Sequence, residues 1–190
     1  MEITKYIGIM NVLEAMKRNT RHSWLSDGRR ESVAEHSWRL TVMAYFAKDE
    51  FPDIDMDKVI KMCLFHDIGE AFTGDIPAFI KTDSDEVTER GAVADFVSSL
   101  DEPFRGELSA LFSEMDALST PEAKLYKALD KMETLIQHNE ADISTWLPLE
   151  YKENLVYGEN EVRFSEFTEA LRKEINRISL EKEREAGSNL

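Results

Sequence analysis

Between Lys61 and Pro77 the chain reads KMCLFHDIGEAFTGDIP, an apolar run that sets down His66, Asp67, Glu70 and Asp75 as it ends. A carboxylate taken from water without a partner is costly or takes up a proton. Ionisable groups this dense in an oily segment therefore imply a bound ion or a closed polar network. At helical spacing His66 and Glu70 stand one turn apart on one face with Asp67 beside them, so all three approach a single point. The plainer alternative for residues 66 to 75 is an exposed helix end, where acids and a histidine meet water. Two further residues have suitable types. His36 stands in the mostly apolar run from Val33 to Ala47, where a satisfied core histidine is the ordinary reading. Asp130 lies on the flank of a stripe formed by Leu125, Leu129, Met132 and Ile136, beside Tyr126, Glu133 and Gln137, and periodicity alone reads that flank as solvated.

The elements that must carry these residues are helical. Ile3, Ile7, Met10 and Leu13 repeat with helical spacing, and the pattern stops near Arg18 before a polar loop containing Asp27-Gly28. Ser32 and Glu35 have capping-box spacing, which predicts a helix from near Val33 to about Lys48 with His36 in its first turn. A third helix is expected from about Met56 to Phe72. It is apolar nearly all round through Val59, Ile60, Met62, Cys63, Leu64 and Phe65, hence internal, with Gly74 and Pro77 as its stop. Further helices are expected at about 84–100, 102–116, 121–141 and 159–185, with Thr120 capping the third of these ahead of Pro121. Strand alternation is scarce. The expected fold class is all-α, a single compact helical bundle over 1–185 with a frayed tail at 186–190.

The 190 residues suffice for one domain with a real core. Asp and Glu number 38 against 23 Lys and Arg, a net charge of −15 that repels nucleic-acid polymers and anionic membranes. A small anionic ligand stays possible where cations gather, and Lys17, Arg18, Arg21, Arg29 and Arg30 do so, together with His22 and Trp24. The same cluster reads equally well as a solvated loop with helix-end cations. Cys63 is the single cysteine, which excludes an internal disulfide and disfavours a thiolate metal site. No signal core or run of membrane-spanning length is visible, so a soluble, cytoplasmic protein is expected.

The order H…HD…D formed by His36, His66-Asp67 and Asp130 resembles the HD-domain metal-dependent phosphohydrolases. More closely, ESVAEHSWR, LFHDIGEAFTGDIP and KALDKMETL resemble segments of the bacterial 5′-deoxynucleotidases and their eukaryotic HD-domain relatives, over about residues 10 to 140. The most specific part is HDIGEAFTGDIP, which matches that subgroup's H-D-x-x-E…G-D-[IL]-P pattern.

The resemblance implies an HD-domain bundle in which His36, His66, Asp67 and Asp130 bind one divalent ion. Two imidazoles and two carboxylates suit Mn, Co, Fe, Ni or Zn. No histidine lies between Asp67 and Gln137, which favours one ion over the two held by the diiron and cyclic-dinucleotide branches. By the same resemblance Glu70 is catalytic, with protonation of the departing sugar oxygen its preferred role; Asp75, placed by the Gly74–Pro77 turn, then orients or activates the attacking water, and the two roles could be exchanged. Arg21 and Trp24 are the matches for a substrate-contacting pair, with Arg18 as a competing match. The implied activity is hydrolysis of deoxyribonucleoside 5′-monophosphates to deoxynucleoside and phosphate, by a homodimer. Hydrolysis of another nucleotide or phosphoester, or a non-catalytic helical regulator with a structural metal, are the competing readings.

Overall fold

Ser32 Oγ accepts the Glu35 backbone N–H at 3.2 Å while the Glu35 carboxylate accepts the Ser32 N–H at 2.8 Å, and this reciprocal cap starts a helix at Val33 as expected. In the computed structural model, which describes residues 1–187, the elements in chain order are α1 (Ile3–Arg18), β1 (Thr20–Trp24), β2 (Arg30–Ser32), α2 (Val33–Ala47), α3 (Met56–Phe65), α4 (Glu70–Thr73), α5 (Asp83–Ser98), α6 (Phe104–Ala117), α7 (Pro121–Glu140), α8 (Glu150–Glu153) and α9 (Glu166–Gly187). The architecture is the helical one expected.

Helix α7 is the central post. Thr120 caps it by accepting the Ala123 N–H, Pro121 opens it, and its apolar side packs against α2, α3 and α9. Leu40, Ala44, Met62, Leu125 and Leu129 close one core between α2, α3 and α7, while Met132, Leu135, Val162 and Ile175 close another toward α9. Each fully buried large side chain there contributes about 1.5–3 kcal/mol relative to exposure. A third cluster, with Met16, Val33, Ile68 and Phe96, fixes α1 and α5 to the rest. No described helix is long and apolar enough to cross a membrane.

Five expectations are corrected. The stretch expected as one helix from Met56 to Phe72 breaks after Phe65. Its backbone tightens into i→i+3 bonds, Ile68 to Phe65, Glu70 to Asp67 and Phe72 to Gly69, before the single turn of α4. Helix α3 is also not internal on every side, since Val59, Met62 and Cys63 are buried but Leu64 is exposed. The polar loop after α1 is a two-stranded antiparallel hairpin, with Thr20 opposite Ser32 and Trp24 opposite Arg30. The last helix begins at Glu166, because the chain first makes a 3-10 turn at Glu161–Phe164 and then extends at Ser165. Helix α9 continues through Gly187, so the tail expected at 186–190 starts as helix, and 188–190 lie outside the described residues.

Candidate metal centre and active site

Three elements bring the four sequence-derived ligands to one point. His36 comes from the first turn of α2, His66 and Asp67 from the turn that ends α3, and Asp130 from the middle of α7. His36 Nε2 lies 3.2 Å from His66 Nε2, 3.2 Å from Asp130 Oδ1 and 3.8 Å from Asp67 Oδ2. His66 Nε2 lies 3.0 Å from Asp67 Oδ2 and 3.6 Å from Asp130 Oδ1. An ion bound at about 2.0–2.2 Å by four such donors holds neighbouring donors roughly 3–3.5 Å apart, so the observed spacing fits one divalent cation.

The groups behind the donors also fit. His36 Nδ1 is hydrogen-bonded to Glu133 Oε2, and His66 Nδ1 donates to the Cys63 carbonyl at 2.9 Å. With a proton on each Nδ1, both Nε2 atoms face the centre and can ligate a cation once any proton they carry is displaced. Glu133 is itself held by Arg39 Nε at 2.6 Å, and Asp130 Oδ2 by Lys127 Nζ at 2.8 Å. Periodicity misplaced this flank. Asp130 and Gln137 are buried, and Glu133 is completely so, because the hairpin and the start of α2 cover the side of α7 that the apolar stripe leaves free.

The charges confirm how crowded the centre is. Burial works against ionisation of Asp67 and Asp130, yet the imidazoles, and Lys127 for Asp130, hold both carboxyls well below the usual range. Burial likewise opposes a charge on His66, but Asp67 and Asp130 push it up to about 10. Without a cation the cage thus holds protons between its donors, and a cation must displace them.

Glu70 opens α4 next to this cage and is 5% exposed, and its Oε2 has no hydrogen-bond partner. Burial first, then Asp67 and Asp75, push its carboxyl up to about 9, against the pull of Arg21. Asp75 follows Gly74, whose φ of 75° makes the turn, and accepts the His22 backbone N–H at 3.2 Å. Its carboxyl is raised by burial, with Arg21 opposing.

Arg21, on β1, is half-buried on the side of the hairpin that faces Glu133 of α7. Its Nη2 donates to Thr134 Oγ1 at 3.2 Å, and its Nη1 stands 3.7 Å from Glu133 and 3.8 Å from Glu31 with no hydrogen-bond partner. Arg21 and Asp75 border a cavity of about 230 Å³, while His66, Asp67, Lys81 and Lys127 border a separate cleft of about 580 Å³. Trp24 is not brought into this group. Its ring lies 4.1 Å beneath the Arg30 guanidinium, and Gln137 Nε2 donates to its carbonyl at 2.6 Å. Of the competing arginines, Arg18 is spent on an exposed pair with Glu14.

Sequence reasoning left out Glu133, Arg39, Lys127 and Glu31. Glu133 and Lys127 had a signal, standing three residues to either side of Asp130 on the same helix. Glu31 and Arg39 had only their place at the two ends of ESVAEHSWR, because their partners come from distant segments.

The HD domain family profile matches residues 13–172. A 5'-deoxynucleotidase HDDC2 of Homo sapiens is 33% identical over 135 residues, covering 69% of this chain and 65% of that protein. That of Danio rerio is 32% identical, covering 69% and 66%, so the chain spans just under two thirds of these relatives' length. The 5'-deoxynucleotidase HDDC2 of Dictyostelium discoideum is 26% identical over 180 residues, 90% of each protein. Among solved structures, a predicted metal-dependent phosphohydrolase from Magnetospirillum magnetotacticum MS-1 superposes with a TM-score of 0.73 at 28% identity over 92% of both chains. A donor cage built from H…HD…D and a profile match over most of the sequence lead to one conclusion: the chain belongs to the HD domain family.

Proposed function

We propose that the protein is a metal-dependent 5′-deoxynucleotidase, which hydrolyses deoxyribonucleoside 5′-monophosphates to deoxynucleoside and phosphate. The observation that carries this reading is the convergence of His36, His66, Asp67 and Asp130 beside a buried Glu70 carboxyl with an unpartnered oxygen. The 5'-deoxynucleotidase names borne by relatives from Homo sapiens to Schizosaccharomyces pombe support the substrate class.

His36, His66, Asp67 and Asp130 would hold one divalent ion, Mn, Co, Fe, Ni or Zn, which when bound polarises a phosphoryl oxygen and acidifies water. Glu70, whose carboxyl is pushed up by burial first and then by Asp67 and Asp75 in the cation-free site, is the group that would deliver a proton to the departing 5′-oxygen. Asp75, fixed by the His22 N–H, orients the attacking water. Arg21 Nη1 donates to phosphate or to the sugar 3′-oxygen. Preference for deoxyribose is carried over from the resemblance, and Trp24 is its candidate residue. Of the Arg21–Trp24 pair, the geometry lends support to Arg21. The functional unit is a homodimer in this reading, using exposed Ile7 and Met10 on α1 and Ile178 and Leu180 on α9.

The test is phosphate release from dAMP, AMP and dATP with Mn²⁺ or Co²⁺, and with chelator. Metal-dependent release of orthophosphate from dAMP well above AMP is expected. Equal release from every phosphoester, p-nitrophenyl phosphate included, removes the nucleotide assignment and leaves a general phosphatase.

A further inference from the structure

A second group of metal-type side chains converges outside the centre, where β1, the end of α7 and α8 meet. His22, His138 and Glu150 each offer one ligand atom, and these atoms lie within 4.8 Å of one another. Glu150 Oε1 is 2.6 Å from His22 Nε2 and 3.6 Å from His138 Nε2. Glu150 and His138 are held from behind through their side chains, and His22 through its backbone. Glu150 Oε2 accepts the Leu147 N–H at 2.6 Å, and the His22 N–H is tied to Asp75. His138 Nδ1 lies 2.9 Å from Asn154 Oδ1. An amide oxygen only accepts, so the ring proton sits on Nδ1 and the Nε2 lone pair is turned toward Glu150.

At 3.6 Å the second imidazole is too far from the carboxylate for a hydrogen bond, and two lone-pair atoms face each other across the gap. His138 and Glu150 side chains are only 11% and 5% exposed, so bulk water does not screen them. A cation between them answers both problems. All three residues line the cavity of about 230 Å³ shared with Arg21 and Asp75, which leaves one side open to water or a ligand oxygen. Two imidazoles, one carboxylate and an open side form a donor set that zinc takes where it keeps a position for solvent.

We infer that His22, His138 and Glu150 bind a second divalent cation of the zinc class, separate from the HD centre and set in the wall of the Arg21–Asp75 cavity. His138 stands just past the histidine-free stretch that argued for a single ion, so the HD centre stays mononuclear and the second ion is remote in sequence from its HD pair. The added charge falls beside Arg21, where a chain of net charge −15 has most need of it to admit an anion. The inference does not depend on the proposed hydrolysis.

The experiment strips the full-length protein with chelator, dialyses it against Zn²⁺ alone and quantifies metal per chain. Two equivalents are expected for the wild type, one each for His22→Ala, His138→Ala and His66→Ala, and none for His66→Ala combined with His138→Ala. A single wild-type equivalent that His66→Ala loses and His138→Ala keeps overturns the inference. The reverse pattern keeps this site and removes the HD centre instead. Circular dichroism checks each fold, and Co²⁺ loaded into His66→Ala supplies a second readout should His138→Ala not fold. Visible d–d bands are expected there, and their absence overturns the inference.

Discussion

Replacing Glu70 by Gln in the cation-free protein should stabilise it at neutral and alkaline pH and leave it unchanged in mild acid. Burial, with the Asp67 and Asp75 carboxylates, lifts the Glu70 carboxyl from 4.5 to about 9. The folded protein therefore keeps a proton that the unfolded chain releases above 4.5. The sign follows: this group's contribution is fully present in acid, falls by about 1.4 kcal/mol per pH unit through that window, and levels off above the folded value. By pH 7 the loss is about 3 kcal/mol before relaxation, and rearrangement around the charged carboxyl reduces it to about 1–3 kcal/mol. Glutamine keeps the shape and has no such proton, so the slope disappears without a cavity. Urea unfolding of both stripped proteins between about pH 5 and pH 8 measures this directly. The two stabilities should coincide at the acid end and separate steadily above it. Parallel curves would refute the reasoning, because a carboxyl ionising near its ordinary value has no proton to give a leaving oxygen at neutral pH.

The remaining expectations concern catalysis. His66→Ala and Asp67→Ala should lose bound metal and phosphate release together, while Glu70→Ala keeps the metal and turns over more slowly by roughly two to four powers of ten; metal analysis beside kcat separates the two classes. Asp75→Asn removes one of the charges that raise Glu70, so the alkaline limb of the kcat profile should move to lower pH, and an unmoved limb would detach Glu70 from that limb. Trp24→Ala tests sugar selectivity through the ratio of kcat/KM for dAMP and AMP, and an unchanged ratio would take Trp24 out of it.

Much of this site could be read from the residues, and the failures have physical causes. The Ser32–Glu35 box announced its helix because a cap is a local bargain between neighbours, settled within one turn. His36, His66, Asp67 and Asp130 were legible as a set through the resemblance, and their separate patterns were ambiguous. Asp130 was read as solvated because helical periodicity reports one apolar stripe, and α7 is covered on a second side by segments far away in the chain. The hairpin escaped because Arg21, His22 and Ser23 do not alternate apolar with polar; β1 packs its side chains against a charged centre. The break after Phe65 was hidden because His66, Asp67 and Ile68 carry no helix-stopping signal, and Gly69 reads as a tolerated residue within a helix.

Gly69 closes the turn between Asp67 and Glu70, and α5 presses on it so closely that a methyl group there would meet Glu89 Cγ at 2.7 Å and Val93 Cγ2 at 3.0 Å. A misplacement near 1 Å at a reacting group slows chemistry by about a hundredfold. Asp67 and Glu70 are thus gauged against each other by a helix that supplies neither. Trimming or enlarging Glu89 and Val93 would shift the two against each other, as one turns a set screw, without touching either carboxylate.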